Sequence, residues 1–196
     1  MPKGLRVRLP LGAPIERVID MNYIFLDVDG VLNNRLYLLY YKDQDGVINE
    51  YAVELLSKLV KQFDAKVILS SSWRDGFDDN MQPTHPTIKM FDGTEEEGRC
   101  SKLLKMLTKY GIVLCGKTGS VNEGVHWGRP TEIYNYVKEH LTPEDNYVIL
   151  DDDDIVGEAH PDLISELAPH FVHTSFVKRG FDEKAFEKAV IVLQNK

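Results

Sequence analysis

Cysteine is scarce in this 196-residue chain: Cys100 and Cys115 are the only two, and no CxxC spacing occurs. That excludes a disulfide framework and gives no support to a zinc cluster, so a reducing, cytoplasmic setting is expected. Long apolar runs are also missing, and none approaches the roughly 18 residues of a membrane span. The first twenty residues carry Arg6, Arg8, Pro10, Gly12 and Pro14 without a continuous apolar core, so no signal peptide and no membrane partner are expected. Positive charge is in deficit, with 23 Lys and Arg against 31 Asp and Glu and a net charge of -8. This argues against a broadly basic nucleic-acid surface but leaves room for a local basic pocket around a phosphate. Repeats, low-complexity tracts and linkers are absent. His85, His160, His170 and His173 show no metal-ligand spacing. The expected organisation is an N-terminal arm over 1–20, then one domain over 21–196 with an inserted loop at about 75–99.

What the chain does contain is a repeated pattern of apolar strand followed by polar residues. Residues 21–28 predict a buried strand running into Asp27-Val28-Asp29-Gly30, with both carboxylates on one side of an ideal strand. Asn33 to Asp45, rich in tyrosine, predicts a short flap. Glu50 to Phe63 has helical spacing at Val53, Leu56, Leu59, Val60 and Phe63. Ala65 to Leu69 predicts a second strand, ending in Ser70-Ser71-Ser72-Trp73-Arg74. Asp75 to Arg99 has no period and is punctuated by proline and glycine. A helix over Ser101 to Tyr110, a third strand over Ile112 to Cys115 and a glycine-rich loop over Thr118 to Gly128 follow. Helix Thr131 to Leu141, strand Tyr147 to Leu150 before Asp151-Asp152-Asp153-Asp154, a short strand Phe171 to Thr174 and helix Asp182 to Leu193 complete the series. Strands alternating with helices predict an α/β fold: a three-layer, Rossmann-like parallel sheet with helices on both faces.

Polar residues at the carboxyl ends of parallel strands converge along one edge of the sheet. Carboxylates from two such strands suit a hard, oxygen-ligated Mg²⁺. Two anions side by side are otherwise costly. A neighbouring cation would let an aspartate attack a phosphate, and a second acid could pass protons to and from the reacting oxygens. A hydroxyl and a basic side chain would hold the remaining phosphate oxygens.

Phe25-Leu26-Asp27-Val28-Asp29-Gly30-Val31-Leu32 resembles the first motif of the haloacid dehalogenase (HAD) superfamily, which includes many Mg²⁺-dependent phosphohydrolases. The resemblance implies that Asp27 is a nucleophile forming an aspartyl-phosphate. It implies that Asp29 is the general acid/base and lends its backbone carbonyl to the metal. Val67-Ile68-Leu69-Ser70 resembles the second motif, with Ser70 or Ser71 on the phosphate. Ile149-Leu150-Asp151-Asp152 resembles the fourth, with Asp152 a metal ligand and Asp151 beside it. For the basic residue of the third motif, Arg129 at the start of helix 131–141 fits the layout best, and Lys117 at the end of strand 112–115 is second. Ser-Ser-Ser-Trp-Arg, Gly116-Lys117-Thr118, Gly128 to Ile133 and Leu150 to Asp153 look like the small HAD-like branch found fused to, or near, RNA-repair enzymes. That branch implies a phosphorylated substrate such as a polynucleotide end. With little or no cap implied, the site would be open to bulky substrates.

Three other readings compete. Gly111 to Thr118 fits the letters of a phosphate-binding P-loop, but its middle is strand-like and no helix can begin in the glycines that follow. A small-molecule or nucleotide phosphatase would use the same residues. A non-catalytic HAD-like binding domain would have the fold without the chemistry, although such a domain would commonly have lost Asp27 or Asp29. Trp73 with Arg74 reads either as a structural pair or as a substrate contact, and His126 with Trp127 as a loop pairing or a base-stacking wall.

Overall fold

A computed structural model describes residues 20–41, 47–121 and 128–195. Five strands form one parallel sheet: β1 (Asn22–Leu26), β2 (Lys66–Leu69), β5 (Leu114–Lys117), β6 (Asn146–Asp151) and β7 (Phe171–His173). Their order is β5-β2-β1-β6-β7, with β1 paired to β2 on one side and β6 on the other. The first strand in the chain is therefore the central one. Its burial on both faces explains its unbroken apolar run.

Alternation along the strands sends side chains to two separate cores. Ile24, Leu26, Val67, Leu69, Val148 and Leu150 pack on one face beneath α2 (Glu50–Phe63), α3 (Arg99–Lys109) and α6 (Glu183–Gln194). Tyr23, Phe25, Ile68, Tyr147 and Ile149 pack on the other, beneath α4 (Gly128–His140) and α5 (Pro161–Leu167). Helices thus cover both faces, as the strand-helix alternation predicts. Helix α2 is bounded by Asn49, whose side chain accepts from Tyr51 N–H, and by Asp64 in a left-handed conformation. Among the described residues, no helix is long and apolar enough to cross a membrane.

Three segments differ from the sequence reading. Asp75 to Arg99 is not structureless: after a 3-10 turn at Ser72–Gly76 it forms an antiparallel hairpin of β3 (Thr87–Lys89) and β4 (Glu95–Glu97). Its strands are three residues long and mostly exposed, so no buried alternation marks them. The third sheet strand starts two residues later than its apolar run. Ile112 is buried, but in the connection, where its N–H bonds the Leu107 carbonyl, and pairing to β2 begins at Leu114. Helix α5 was not foreseen; of its seven residues only Leu167 is buried, so it has almost no apolar stripe. The tyrosine-rich flap contains a seven-residue helix, α1 (Arg35–Tyr41), with no buried residue, and its turn signals at Asp43 and Asp45-Gly46 lie outside the described residues. The arm lies outside them as well, save Asp20.

Candidate active site

The β ladders run one residue past the strand ends and set a polar row across the sheet. Asp27 N–H bonds the Leu150 carbonyl, Ser70 N–H the Leu26 carbonyl and Thr118 N–H the Leu69 carbonyl. Thr118, Ser70, Asp27 and Asp151 therefore stand side by side on the face covered by α4. All four are buried, Asp27 to 4% and Asp151 to 0% exposure. Helix α4 begins above this row, and its second residue, Arg129, reaches down between the acids. One guanidinium nitrogen, Nη1, lies 2.9 Å from Asp27 Oδ1 and 2.8 Å from Asp151 Oδ2.

One guanidinium does not neutralise this site. Asp152 joins Asp27 and Asp151, and one oxygen from each of the three lies within 4.8 Å of the others. Burial and the nearby Asp151 push the Asp27 carboxyl up to about 7, against the opposing pull of Arg129 and a hydrogen bond from Ser71. Burial likewise pushes Asp151 up to about 6, again opposed by Arg129. Burial and Asp153 raise Asp152. Burial disfavours the Arg129 cation, but Asp151 and Asp27 outweigh it and hold the guanidinium charged. An excess of partly desolvated carboxylate over cation is the donor chemistry that fits a hard divalent ion. Asp27, Asp151 and Asp152 are the side chains placed to hold one.

Asp29 is partnered differently. Strand β1 ends at Leu26, and the N–H groups of Val31 and Leu32 turn back to the Val28 carbonyl, so the chain leaves the extended path before Asp29. The ideal-strand expectation of two parallel carboxylates fails for that reason. Asp27 is buried, whereas Asp29 is exposed and lies outside the three-acid group. Its Oδ2 accepts from Trp73 Nε1 at 2.8 Å and its Oδ1 from Asn33 Nδ2 at 2.8 Å. Both acids still line one cleft of about 410 Å³, with Leu38, Ser72, Arg129, Asp152, Asp153 and Phe176.

Two backbone contacts tighten the turn after β1. Gly30 has φ +74°, and a Cβ there would sit 2.1 Å from the Asp152 carboxylate carbon. The Asp-Gly pair therefore lets the two acidic strand ends approach. Thr174 bonds the Gly30 carbonyl through its hydroxyl and the Asp151 carbonyl through its N–H.

The remaining candidates separate cleanly. Ser70 Oγ is buried without a hydrogen-bond partner among the described residues, as is its neighbour Thr118 Oγ1. Ser71 caps the 3-10 turn by accepting from Trp73 N–H at 3.4 Å, while its hydroxyl faces Asp27. Lys117 pairs with Leu69 and so lies on the opposite face from Asp27, where its ammonium meets the Phe77 carbonyl. The two basic candidates are therefore on opposite sides of the sheet, and only Arg129 is at the acids.

Arg74 and Trp73 do not stack on one another. Arg74 makes a buried ion pair with Glu132 of α4 at 2.8 Å, and Arg99 lies 4.9 Å over the Trp73 ring. His126 and Trp127 lie outside the described residues. Sequence reasoning passed over Asn33, Thr118 and Glu132. For Trp73 only a general rule applied: an indole N–H that is buried needs an acceptor, without saying which.

No curated protein and no solved structure matches the chain. A family model does, over residues 23–186. That span takes in every strand of the parallel sheet and all the acids described above, and it points to phosphohydrolase chemistry. The chain belongs to the family described as the HAD domain in Swiss Army Knife RNA repair proteins.

Proposed function

We propose that the chain is a Mg²⁺-dependent phosphomonoesterase working through an aspartyl-phosphate on Asp27, with phosphorylated polynucleotide ends as its substrate class. The observation that carries this reading is the trio Asp27, Asp151 and Asp152, of which a single arginine bridges the first two, leaving excess negative charge. The bound cation would draw charge from the phosphate oxygens and so weaken their repulsion of the carboxylates.

The protein's own residues supply the rest. Arg129 holds Asp27 by Oδ1, and the other carboxylate oxygen attacks phosphorus as the ester P–O bond breaks. Asp29 gives its proton to the leaving oxygen. It then takes one from the water that attacks the acyl-phosphate, which releases phosphate and restores Asp27. Ser70 offers its unpartnered buried hydroxyl, and Ser71 its own, to phosphate oxygens beside Asp27.

The substrate class is supported by two features. The cleft is polar at its base and flanked by α1, whose Leu36, Leu39, Tyr40 and Tyr41 are exposed, so a bulky group has room beside the phosphate. The family description names RNA repair proteins. The test is phosphate release with Mg²⁺ from 3′- and 5′-phosphorylated oligonucleotides, nucleoside monophosphates and p-nitrophenyl phosphate, comparing wild type with Asp27→Asn. Release from oligonucleotides, lost in EDTA and in the variant, is the expected result. Preference for the monophosphates would replace the substrate class. No release from any of them would leave a non-catalytic domain.

A further inference from the structure

We propose that Trp73 and Asn33 are positioning residues, a two-point clamp that holds the Asp29 carboxylate oriented for proton transfer. The inference rests on the phosphatase reading above.

An exposed carboxylate on a turn is ordinarily solvated and free to rotate. Asp29 instead has a protein donor on each oxygen, from two segments 40 residues apart, Asn33 and Trp73. Neither donor can easily turn away. Asn33 is 1% exposed, and its Oδ1 accepts the Gly30 N–H at 3.0 Å. The opposite end of its amide is therefore NH₂, and it faces Asp29, with a second, longer contact to the Val47 carbonyl. Trp73 is 2% exposed and has one polar side-chain atom, a donor only, which is costly to bury unpaired. Its ring lies under the Arg99 guanidinium, its backbone N–H bonds Ser71 Oγ, and its backbone carbonyl receives the Cys100 thiol.

The chemistry of the donors matters as much as their rigidity. Arg129 gives Asp27 an ion pair. The indole and amide give Asp29 orientation with no added charge. Each Asp29 oxygen keeps a second lone pair, where a proton can be taken up and handed on. In the forward step the proton leaves Asp29 for the departing ester oxygen as the P–O bond to Asp27 forms. In the second it returns from water as that bond breaks. A carboxylate used twice in one turnover gains from being held in place throughout. The run Ser71-Ser72-Trp73 then addresses both acids, Ser71 toward Asp27 and Trp73 toward Asp29.

The test replaces Trp73 by 3-benzothienylalanine, which keeps the ring shape and removes the N–H, in a Trp127→Phe background. A general acid matters most for a poor leaving group. The expected result is a fall of about tenfold to a hundredfold in kcat/KM on the alkyl ester β-glycerophosphate. The fall on p-nitrophenyl phosphate, whose leaving group needs no proton, should be under about threefold. Equal losses on both esters would overturn the positioning role, since a packing defect would lower both alike. Independently of turnover, the Trp73 indole N–H resonance is followed in Asp29→Ala. It should move upfield, with solvent exchange accelerated about tenfold for loss of a charge-assisted bond. An unchanged resonance would overturn the clamp. A wild type inactive on both esters and on the phosphorylated oligonucleotides would sink the phosphatase reading and the proton-transfer role with it, while the indole readout still decides the clamp.

Discussion

After β1 the two acids part company, Asp27 into the sheet face with an arginine and Asp29 into the cleft with two neutral N–H donors. After β6 four acids in a row divide further. Asp151 is fully buried against Arg129, Asp152 is half-buried within the three-acid group, and Asp153 and Asp154 follow in an exposed turn. Asp153 N–H bonds Asp151 Oδ1, and Asp154 Oδ1 accepts the Gly157 N–H. The same residue type thus does three jobs within a few ångströms. What separates them is the partner: a guanidinium for Asp27 and Asp151, an indole and an amide N–H for the exposed Asp29, a backbone N–H for Asp154 in the turn. Only the first group accumulates charge that the protein does not balance.

The strongest test of that division is Asp27→Asn. Phosphate release should fall by at least about a thousandfold, measured as turnover with Mg²⁺ present, because the attacking group is gone. Next is Arg129→Met, which leaves Asp27 and Asp151 buried with no cation. It should destabilise the metal-free protein by about 3–5 kcal/mol at pH 8 in urea unfolding. The loss should shrink at pH 5, where the two acids can take up protons. Lys117→Met, on the other face, should cost about 1 kcal/mol and show no such pH dependence.

A pH series sharpens the comparison without mutation. Asp27 and Asp151 are raised in the folded state from 3.8 to about 7 and about 6. Between pH 4 and 7 the folded protein therefore holds protons that the unfolded chain has released. Stability must fall as pH rises through that window, in the opposite sense to an ion-paired surface carboxylate. In EDTA the fall should be on the order of several kcal/mol, and Mg²⁺ or Asp27→Asn should flatten it. The smallest effects separate Asp152 from its neighbours. Gly30→Ala would drive a methyl into the Asp152 carboxylate, costing about 1–2 kcal/mol and raising the Mg²⁺ concentration needed to shift the thermal midpoint. Asp154→Ala should cost under about 1 kcal/mol and leave the Mg²⁺ response unchanged.

Much of this arrangement was readable from the chain. Apolar runs that stop abruptly at polar residues define buried parallel strands, so β1, β2 and β6 and the acids and serines beyond them could be located without coordinates. Arg129 could be ranked above Lys117 by its place before the last acidic strand, but the physical reason could not be read. It depends on the strand register past Gly116, and the apolar run Ile112-Val113-Leu114 suggests an earlier strand than the one that pairs. The hairpin and α5 were hidden because neither buries a stripe. Glu95-Glu96-Glu97 is a strand by pairing alone, with side chains of low strand preference. The partners of Asp29 were hidden for another reason: hydrogen bonds between Trp73 and Asp29 leave no periodic trace.

The turn after β1 is also closed from behind. Thr174 bonds the Gly30 carbonyl, Phe181 N–H bonds the Val31 carbonyl, and Gly180, at φ +66°, passes so close that a Cβ would lie 2.7 Å from that same oxygen. During synthesis the acids of β1 are made well before their backing. A ribosome would have to release residues 174–181 before the loop carrying Asp27 and Asp29 could take its final shape. Until then the chain holds a central strand whose partner β6 is more than 120 residues away. The site therefore needs residues 174–181 in place, and a truncation before Thr174 should retain several helices yet lack the geometry that the acids need.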